Sequence, residues 1–537
     1  MASSHNYALV VDDGSVADDR STNIVDESAN LIGLDPPRWR TWEFGLYYLA
    51  VGATVWTFFA RMWDMSQETY PDYEQYRQYL KPGWMLGRLL DTSDMQYMGF
   101  RQNLGILTAV MAAHVPLSWW VRRAAPTRPE AEFLYSLIFS LVFLAVAHGY
   151  HLVKIVAVLL LNFALTRVMR STRIAPVVTW AWSVGMLLTV AWTGGFRQLN
   201  VSGGYGGLMR WEITFNFCVL RMISYNMDYY WSLTDSSARL LQNHGTCRGH
   251  PDAPTHTLDP PPYCCPKLRA SMPRPRDEYR LVPFLAYMLY IPLYFAGPIV
   301  SFNAWMAQRV RRPAHLTRSF VANDAAHVLH AGDHARARMA RARPADMAVI
   351  GYLSLKFIWL KLMVIWRFFR FWSLADGIDP PENMKRCMSN NYSAVAFWRD
   401  WHASFNLWNI RYLYVPLGGA KTRWLNLWVI FTFVAVWHDL ELNLLAWGWL
   451  IVLFMVPELV ATVVFRPYSR RWWFRHVSAL GAVLNIAGMI TANLVGFAVG
   501  VDGMRHLWEG LFDPPADGAL TVLAAGRVPV CIGADHV

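Results

Sequence analysis

Charge is what this sequence has least of. Only 16% of its 537 residues are charged, while 54% are hydrophobic, against about a quarter charged in ordinary soluble domains. That balance excludes a string of soluble domains, and the spacing of the apolar blocks points to one membrane domain with loops. Cysteine is scarce as well. Six residues (Cys218, Cys247, Cys264, Cys265, Cys387 and Cys531) are too few for a disulfide framework. Residues 1–40 are polar and acidic and contain no apolar h-region, so no cleavable signal peptide is expected. The first long apolar run, near 41–59, then serves as both targeting signal and first span. Phosphate loops, Gly-rich dinucleotide turns and the Gly-x-Ser-x-Gly nucleophile elbow are all missing. So is the internal repeat found in many transporters.

What the chain does have is apolar length and aromatic rings. Its 27 tryptophans fit a protein with long bilayer interfaces. Runs able to cross a bilayer as helices fall near 41–63, 103–121, 133–147, 152–168, 176–192, 281–305, 347–366, 425–437 (continuing or breaking into 442–465) and 477–501. Residues 211–222 read as an interfacial segment. The expectation is an all-α polytopic protein of about ten membrane segments. A polar tail covers 1–40, the membrane domain 41–510 and a divergent tail 511–537, with solvent loops at 232–279 and 308–346. The net charge of +11 does not imply a nucleic-acid partner. Its basic residues cluster beside apolar runs, as in Arg122–Arg123, Arg167/Arg170/Arg173 and Arg470–Arg471. That pattern fixes topology and meets anionic membrane lipids. If the spans are right, the first two clusters share one side, which would be cytoplasmic.

Ionisable groups at membrane depth are costly and are therefore functional candidates. His438 lies between two uncharged runs, in Val436-Trp437-His438-Asp439. A neutral imidazole is the cheapest titratable group to keep in a low-dielectric site, and it is the usual general base near neutral pH. Position alone leaves a bland reading equally open, an interfacial histidine bonded to a carbonyl. Asp439 and Glu441 suit either a partner for that ring or a membrane boundary. Residues 397–412, taken as a helix, place Trp398, Trp401, Phe405, Trp408 and Tyr412 on one face and Arg399, His402, Asn406 and Asn409 on another. Such a helix can lie in the interface, line a wet cavity, or do both. His244, Cys247, His250 and Cys264-Cys265 lack zinc-site spacing, and no metal is expected. Asn200-Val201-Ser202 and Asn391-Tyr392-Ser393 match the glycosylation sequon, a short pattern common by chance. Around His402 the His-x4-Asp pattern of soluble-domain glycerolipid acyltransferases is absent, since position 407 is Leu.

Taken together, Phe397-Trp398-Arg399-Asp400-Trp401-His402-x-Ser404-Phe405-Asn406-x-Trp408-x2-Arg411-Tyr412-x-Tyr414-x-Pro416-Leu417-Gly418-Gly419, followed by Val436-Trp437-His438-Asp439, resemble the membrane-bound O-acyltransferase (MBOAT) family. Within it the chain is similar to the glycerol uptake protein branch, neighbour to Hedgehog acyltransferase. Segments 220–231 and 291–303 support the likeness, which covers 41–510. The resemblance implies an MBOAT-like bundle around a central chamber and transfer of a fatty acyl group from acyl-CoA, with no other cofactor. It makes His438 and His402 the expected catalytic residues, with Arg399, Asn406, Trp437 and Asp439 as substrate contacts. The branch further suggests a lipid acceptor, either lyso-glycosylphosphatidylinositol (lyso-GPI) at sn-2 or a lysophospholipid. It suggests residence in the endoplasmic reticulum membrane, with the plasma membrane a second location. Two alternatives stay open: a transporter of glycerol or another small solute, and a Hedgehog-acyltransferase-like protein acyltransferase or non-catalytic regulator.

Overall fold

The computed structural model describes residues 39–70, 73–78, 80–83, 89–91, 94–234, 266–310 and 344–512. Helix α1 (Trp42–Met65) is followed by a short α2 (Tyr73–Arg77) and a two-stranded antiparallel ribbon, β1 (Leu80–Pro82) and β2 (Leu89–Asp91). Then come α3 (Met95–Ala124), α4 (Pro129–His148), α5 (His151–Met169), α6 (Ala175–Trp192) and α7 (Trp211–Thr234). Short helices α8 (Pro266–Ser271), α9 (Leu281–Met288) and α10 (Phe302–Val310) precede the long α11 (Pro344–Ala375). The C-terminal part holds α12 (Ala394–Asp400), α13 (Ala403–Asn409), α14 (Arg423–His438), α15 (Leu442–Phe465), α16 (Phe474–Phe497) and α17 (Gly500–Phe512). The chain is all-α in class, and among the described residues seven helices (α3, α4, α5, α6, α11, α15 and α16) are long and apolar enough to cross a membrane.

Local chemistry sets the boundaries. The Asp94 carboxylate accepts the Tyr97 N–H at 2.8 Å and starts α3, as an N-cap should. Pro129 and Pro176 sit in the first turns of α4 and α6, where the missing N–H costs nothing. The corner between α4 and α5 requires glycine. Gly149 has φ +56°, and a Cβ there would lie 2.0 Å from the Tyr205 carbonyl oxygen.

Three expectations are corrected. Residues 211–222 are not interfacial. They begin α7, a central pillar in which Trp211, Thr214 and Phe215 are buried and burial is unbroken from Cys218 to Tyr229. The periodicity misled because α7 carries Asn216, Arg221, Ser224, Asn226 and Asp228, each of which bonds to a neighbouring segment inside the protein. Residues 281–305 form no span either. The stretch breaks into α9, a tight turn at Ile291–Leu293 and α10. Pro292 and Pro298 interrupt it, and the Arg221 guanidinium takes the freed carbonyls of Tyr287 (3.0 Å), Met288 (2.7 Å) and Leu293 (2.6 Å). Irregular backbone at membrane depth is tolerated when protein groups satisfy it in this way. Lastly, 397–412 is not one helix. It kinks at Trp401–His402 and ends in a π-turn at Ile410–Tyr414. The chain also breaks between 425–437 and 442–465, with Asp439 in extended conformation.

The solvent loops proposed at 232–279 and 308–346 are described only at their ends. Those ends pack inward: Tyr279 and Asp346 are buried. The histidine–cysteine cluster at 244–265 lies outside the described residues, as do the tails 1–38 and 513–537. Sequon residue Asn200 is exposed, whereas Asn391 is buried.

Candidate active site

The site is built where α12, α13 and α14 meet α7 and α11. α12 starts at Ser393, whose hydroxyl accepts the Ala396 N–H at 3.0 Å. It ends at Trp401, and the chain turns sharply so that α13 departs in a new direction. The turning residue is His402, at φ +47°, ψ +47°. A left-handed conformation costs a residue bearing a Cβ about 1–2 kcal/mol. Strain of this kind persists only where surroundings enforce it, and it concentrates at functional sites. The surroundings are aromatic. The His402 ring stacks on Trp366 of α11 at 4.4 Å between centroids, with Phe405 at 5.2 Å and Trp437 at 6.3 Å. His402 is buried, and its Nε2 has no hydrogen-bond partner among the described residues. An unpaired buried ring nitrogen is expensive unless water or substrate completes it.

His438 closes α14 on the other side of Trp437, 4.9 Å from that ring, with Trp447 at 5.8 Å and Phe497 at 5.9 Å. Unlike His402 it is exposed. Aromatic rings pack against the imidazole while part of it stays exposed. Both imidazoles pack against the one Trp437 ring, His402 at 6.3 Å and His438 at 4.9 Å between centroids. Trp437 between them is fixed twice over. Its indole donates to the Asn216 carbonyl at 2.9 Å, and the Asn216 carboxamide donates to the Trp437 carbonyl at 2.8 Å. One residue of α7 thus clamps the main chain next to His438.

Of the six residues singled out from sequence, His402, Trp437 and His438 come together. Asn406, one turn beyond His402 in α13, is half-buried, and its N–H donates to the His402 carbonyl. Arg399 is turned toward Asp400, 3.4 Å away, and is about a third exposed. The Asp439 carboxylate accepts the N–H of Leu440 at 2.7 Å, so it serves its own turn. Among the described residues it makes no bond to His438. No group of three His, Cys, Asp or Glu among the described residues is arranged to hold a metal.

The surroundings hold residues that sequence reasoning did not single out. Trp366 and Asn216 carry no motif of their own. Asp228 of α7 was visible within segment 220–231, but its role was not. It is fully buried and accepts from Arg411 (2.7 Å), the Tyr412 hydroxyl (3.1 Å) and the Asn303 N–H (3.1 Å). Ser224, one turn earlier, meets the Tyr412 hydroxyl at 2.8 Å and accepts the Phe302 N–H at 2.9 Å. The Trp408 indole donates to the Leu220 carbonyl at 3.2 Å. Asn216, Leu220, Ser224 and Asp228 are spaced by four, so they line one stripe of α7. That stripe grips both histidine-bearing segments.

A helical membrane bundle with two histidines flanking one tryptophan defines a class. The chain belongs to the membrane-bound O-acyltransferase family, whose model matches residues 178–501, and it is accordingly a multi-pass membrane acyltransferase. Among individual relatives it is 38% identical over 495 residues to Membrane-bound O-acyltransferase GUP1 of Candida tropicalis, covering 88% of this chain and 83% of that one. It is 36% identical over 516 residues to Membrane-bound O-acyltransferase GUP1 of Saccharomyces cerevisiae, covering 91% and 90%. A more distant likeness, 24% over 261 residues, links it to mouse Protein-cysteine N-palmitoyltransferase HHAT, covering 42% of this chain and 52% of that protein.

Proposed function

We propose that this enzyme moves a fatty acyl group from acyl-CoA to a lipid hydroxyl, most specifically the sn-2 hydroxyl of a lyso-GPI, in the endoplasmic reticulum membrane. His438 is the general base. The observation that carries the reading is its setting: a reachable imidazole at a helix end, walled by Trp437, Trp447 and Phe497, with its neighbouring main chain clamped by Asn216. The acceptor oxygen attacks the thioester carbonyl while His438 takes its proton. The C–S bond then breaks, CoA leaves as thiolate, and the proton on His438 is available to neutralise it. His402, with an unpaired Nε2, is the donor assigned to the oxyanion that develops in between. The aromatic walls keep out water, which would otherwise hydrolyse a thioester held beside a base. Arg399, which pairs with Asp400, and Asp439, bonded within its own turn, are less suited to substrate contact than Asn406 and Trp437.

The partial likeness to a protein-cysteine N-palmitoyltransferase keeps a protein acceptor as the second reading. Purified protein given labelled acyl-CoA with lyso-GPI, lysophospholipid or a peptide with an N-terminal cysteine separates the two. Label is expected on lyso-GPI. Label on the peptide alone would transfer the assignment, and solute flux through proteoliposomes without any acylated product would revive the transporter alternative.

A further inference from the structure

Asn383 lies in the connection between α11 and α12, far in sequence from either histidine, and its side chain is fully buried. α13 begins unusually. Its N-cap residue is His402, whose own side chain makes no capping bond, although the first N–H groups of a helix need acceptors. Asn383 supplies them from outside. Its carbonyl accepts the Ala403 N–H at 3.1 Å, and its Oδ1 accepts the Ser404 N–H at 3.2 Å. An imidazole spent on its own helix end would not be free for substrate. With the cap provided elsewhere, the ring can turn to Trp366.

The segment bearing Asn383 is itself fastened to α11. The Glu382 carboxylate accepts the N–H groups of Asn383 (2.9 Å) and Met384 (3.2 Å). It also lies 3.8 Å from both Arg367 and Arg370 of that helix. Met384 bridges to Trp401, and the Lys385 N–H reaches the Asp400 carbonyl at 3.3 Å. A closed circuit results. α11 holds Glu382, Glu382 orients Asn383, Asn383 caps α13, and the His402 ring returns to Trp366 on α11. We propose that Asn383 is a positioning residue for His402, capping its helix from a neighbouring segment and so holding the left-handed turn that aims the imidazole. The proposal rests on His402 acting in acyl transfer. It requires only an acceptor at Oδ1, since Nδ2 has no partner among the described residues.

Full-length protein is purified in detergent as wild type, His402→Ala, Asn383→Ala and Asn383→Asp, and kcat and KM for acyl-CoA are measured alongside elution profile and thermal midpoint. Asn383→Ala is expected to lower kcat about a hundredfold, the scale of a misplaced catalytic group, with KM within twofold. Asn383→Asp, which keeps the capping oxygen, should recover most of that loss. Full activity of Asn383→Ala beside an impaired His402→Ala overturns the positioning role. A folded Asn383→Asp as poor as Asn383→Ala overturns it too, because the lost Nδ2 hydrogens would then be what matters. If Asn383→Ala does not yield folded protein, Asn383→Asp decides alone. Full activity of His402→Ala would instead defeat the underlying reading of the site.

Discussion

At the scale of single residues, the two histidines differ in what surrounds them, and the proposed roles rest on that difference. His438 ends a helix and is exposed. His402 is buried, stacked and strained. Replacing His438 by Ala removes one accessible side chain, so the protein should remain folded and membrane-inserted, with a loss of stability no greater than a typical point substitution, ~1 kcal/mol. Acyl transfer should nevertheless fall by about a hundredfold or more, the scale of a lost general base. His402→Ala should be milder in activity if the ring supports charge instead of moving a proton. It should also relieve part of the left-handed strain only if a glycine is used, so His402→Gly is expected to melt higher than His402→Ala. Acylation rates and thermal midpoints of the three variants check both points. A fully active, folded His438→Ala would end the mechanism.

At the scale of elements, α7 organises the site, and its polar stripe makes graded predictions. Asn216→Ala deletes the bond to the Trp437 carbonyl but leaves the Trp437 indole bond to the main chain of α7. Turnover should drop several-fold while the fold survives, because half the clamp remains. Arg411→Ala is a different kind of change. It strands the fully buried Asp228 carboxylate, and breaking a buried pair from one side typically costs about 3–5 kcal/mol. Loss of monodisperse protein, or a large fall in thermal midpoint, is the expected result. Arg411→Met combined with Asp228→Asn should recover much of it, and a double variant no better than the single would show that the pair is not the cause. These elements also show what the sequence made legible. The run containing His402 and the spans that became α3 to α6 could be read from apolar length and motif order, while the sequence left open whether the chain breaks before residue 442. The pillar α7 could not be read, since a helix whose polar residues are satisfied by neighbouring segments and buried with its apolar ones has no amphipathic signature. The kink at His402 was equally hidden. Its cause is Asn383 and Trp366, contacts that no local pattern encodes.

At the scale of the whole molecule, the helix order fixes which ends share a side. α3 to α6 run antiparallel through short connections, so Arg122, Arg123 and Arg128 lie at the same end as Arg167, Arg170 and Arg173. Arg280 joins them through Glu130 (2.9 Å), as does the Tyr279 carbonyl through Arg167. The opposite end carries the Gly149 corner and loop 193–210, with Lys154, Arg197 and Arg210. Excess Arg in short loops marks the cytoplasmic side. α7 begins at Trp211 on the far side, where it stacks with His151, and Asn216 lies in its second turn. Since Asn216 grips Trp437, His438 sits toward the far side, whereas Lys421 and Arg423 put the start of α14 at the basic end. Under the proposed function and this orientation, an acyl donor from the cytosol would meet its acceptor deep in the bundle, nearer the opposite face. Cysteines placed singly at Ser171 and Ser202, both exposed, test the frame in sealed microsomes, with the labelling of wild-type protein subtracted. A membrane-impermeant maleimide added outside should label Ser171→Cys directly and Ser202→Cys only after permeabilisation. The reverse pattern would invert the molecule and place His438 toward the cytosol. Equal labelling of both positions in intact vesicles would contradict the antiparallel helix order itself.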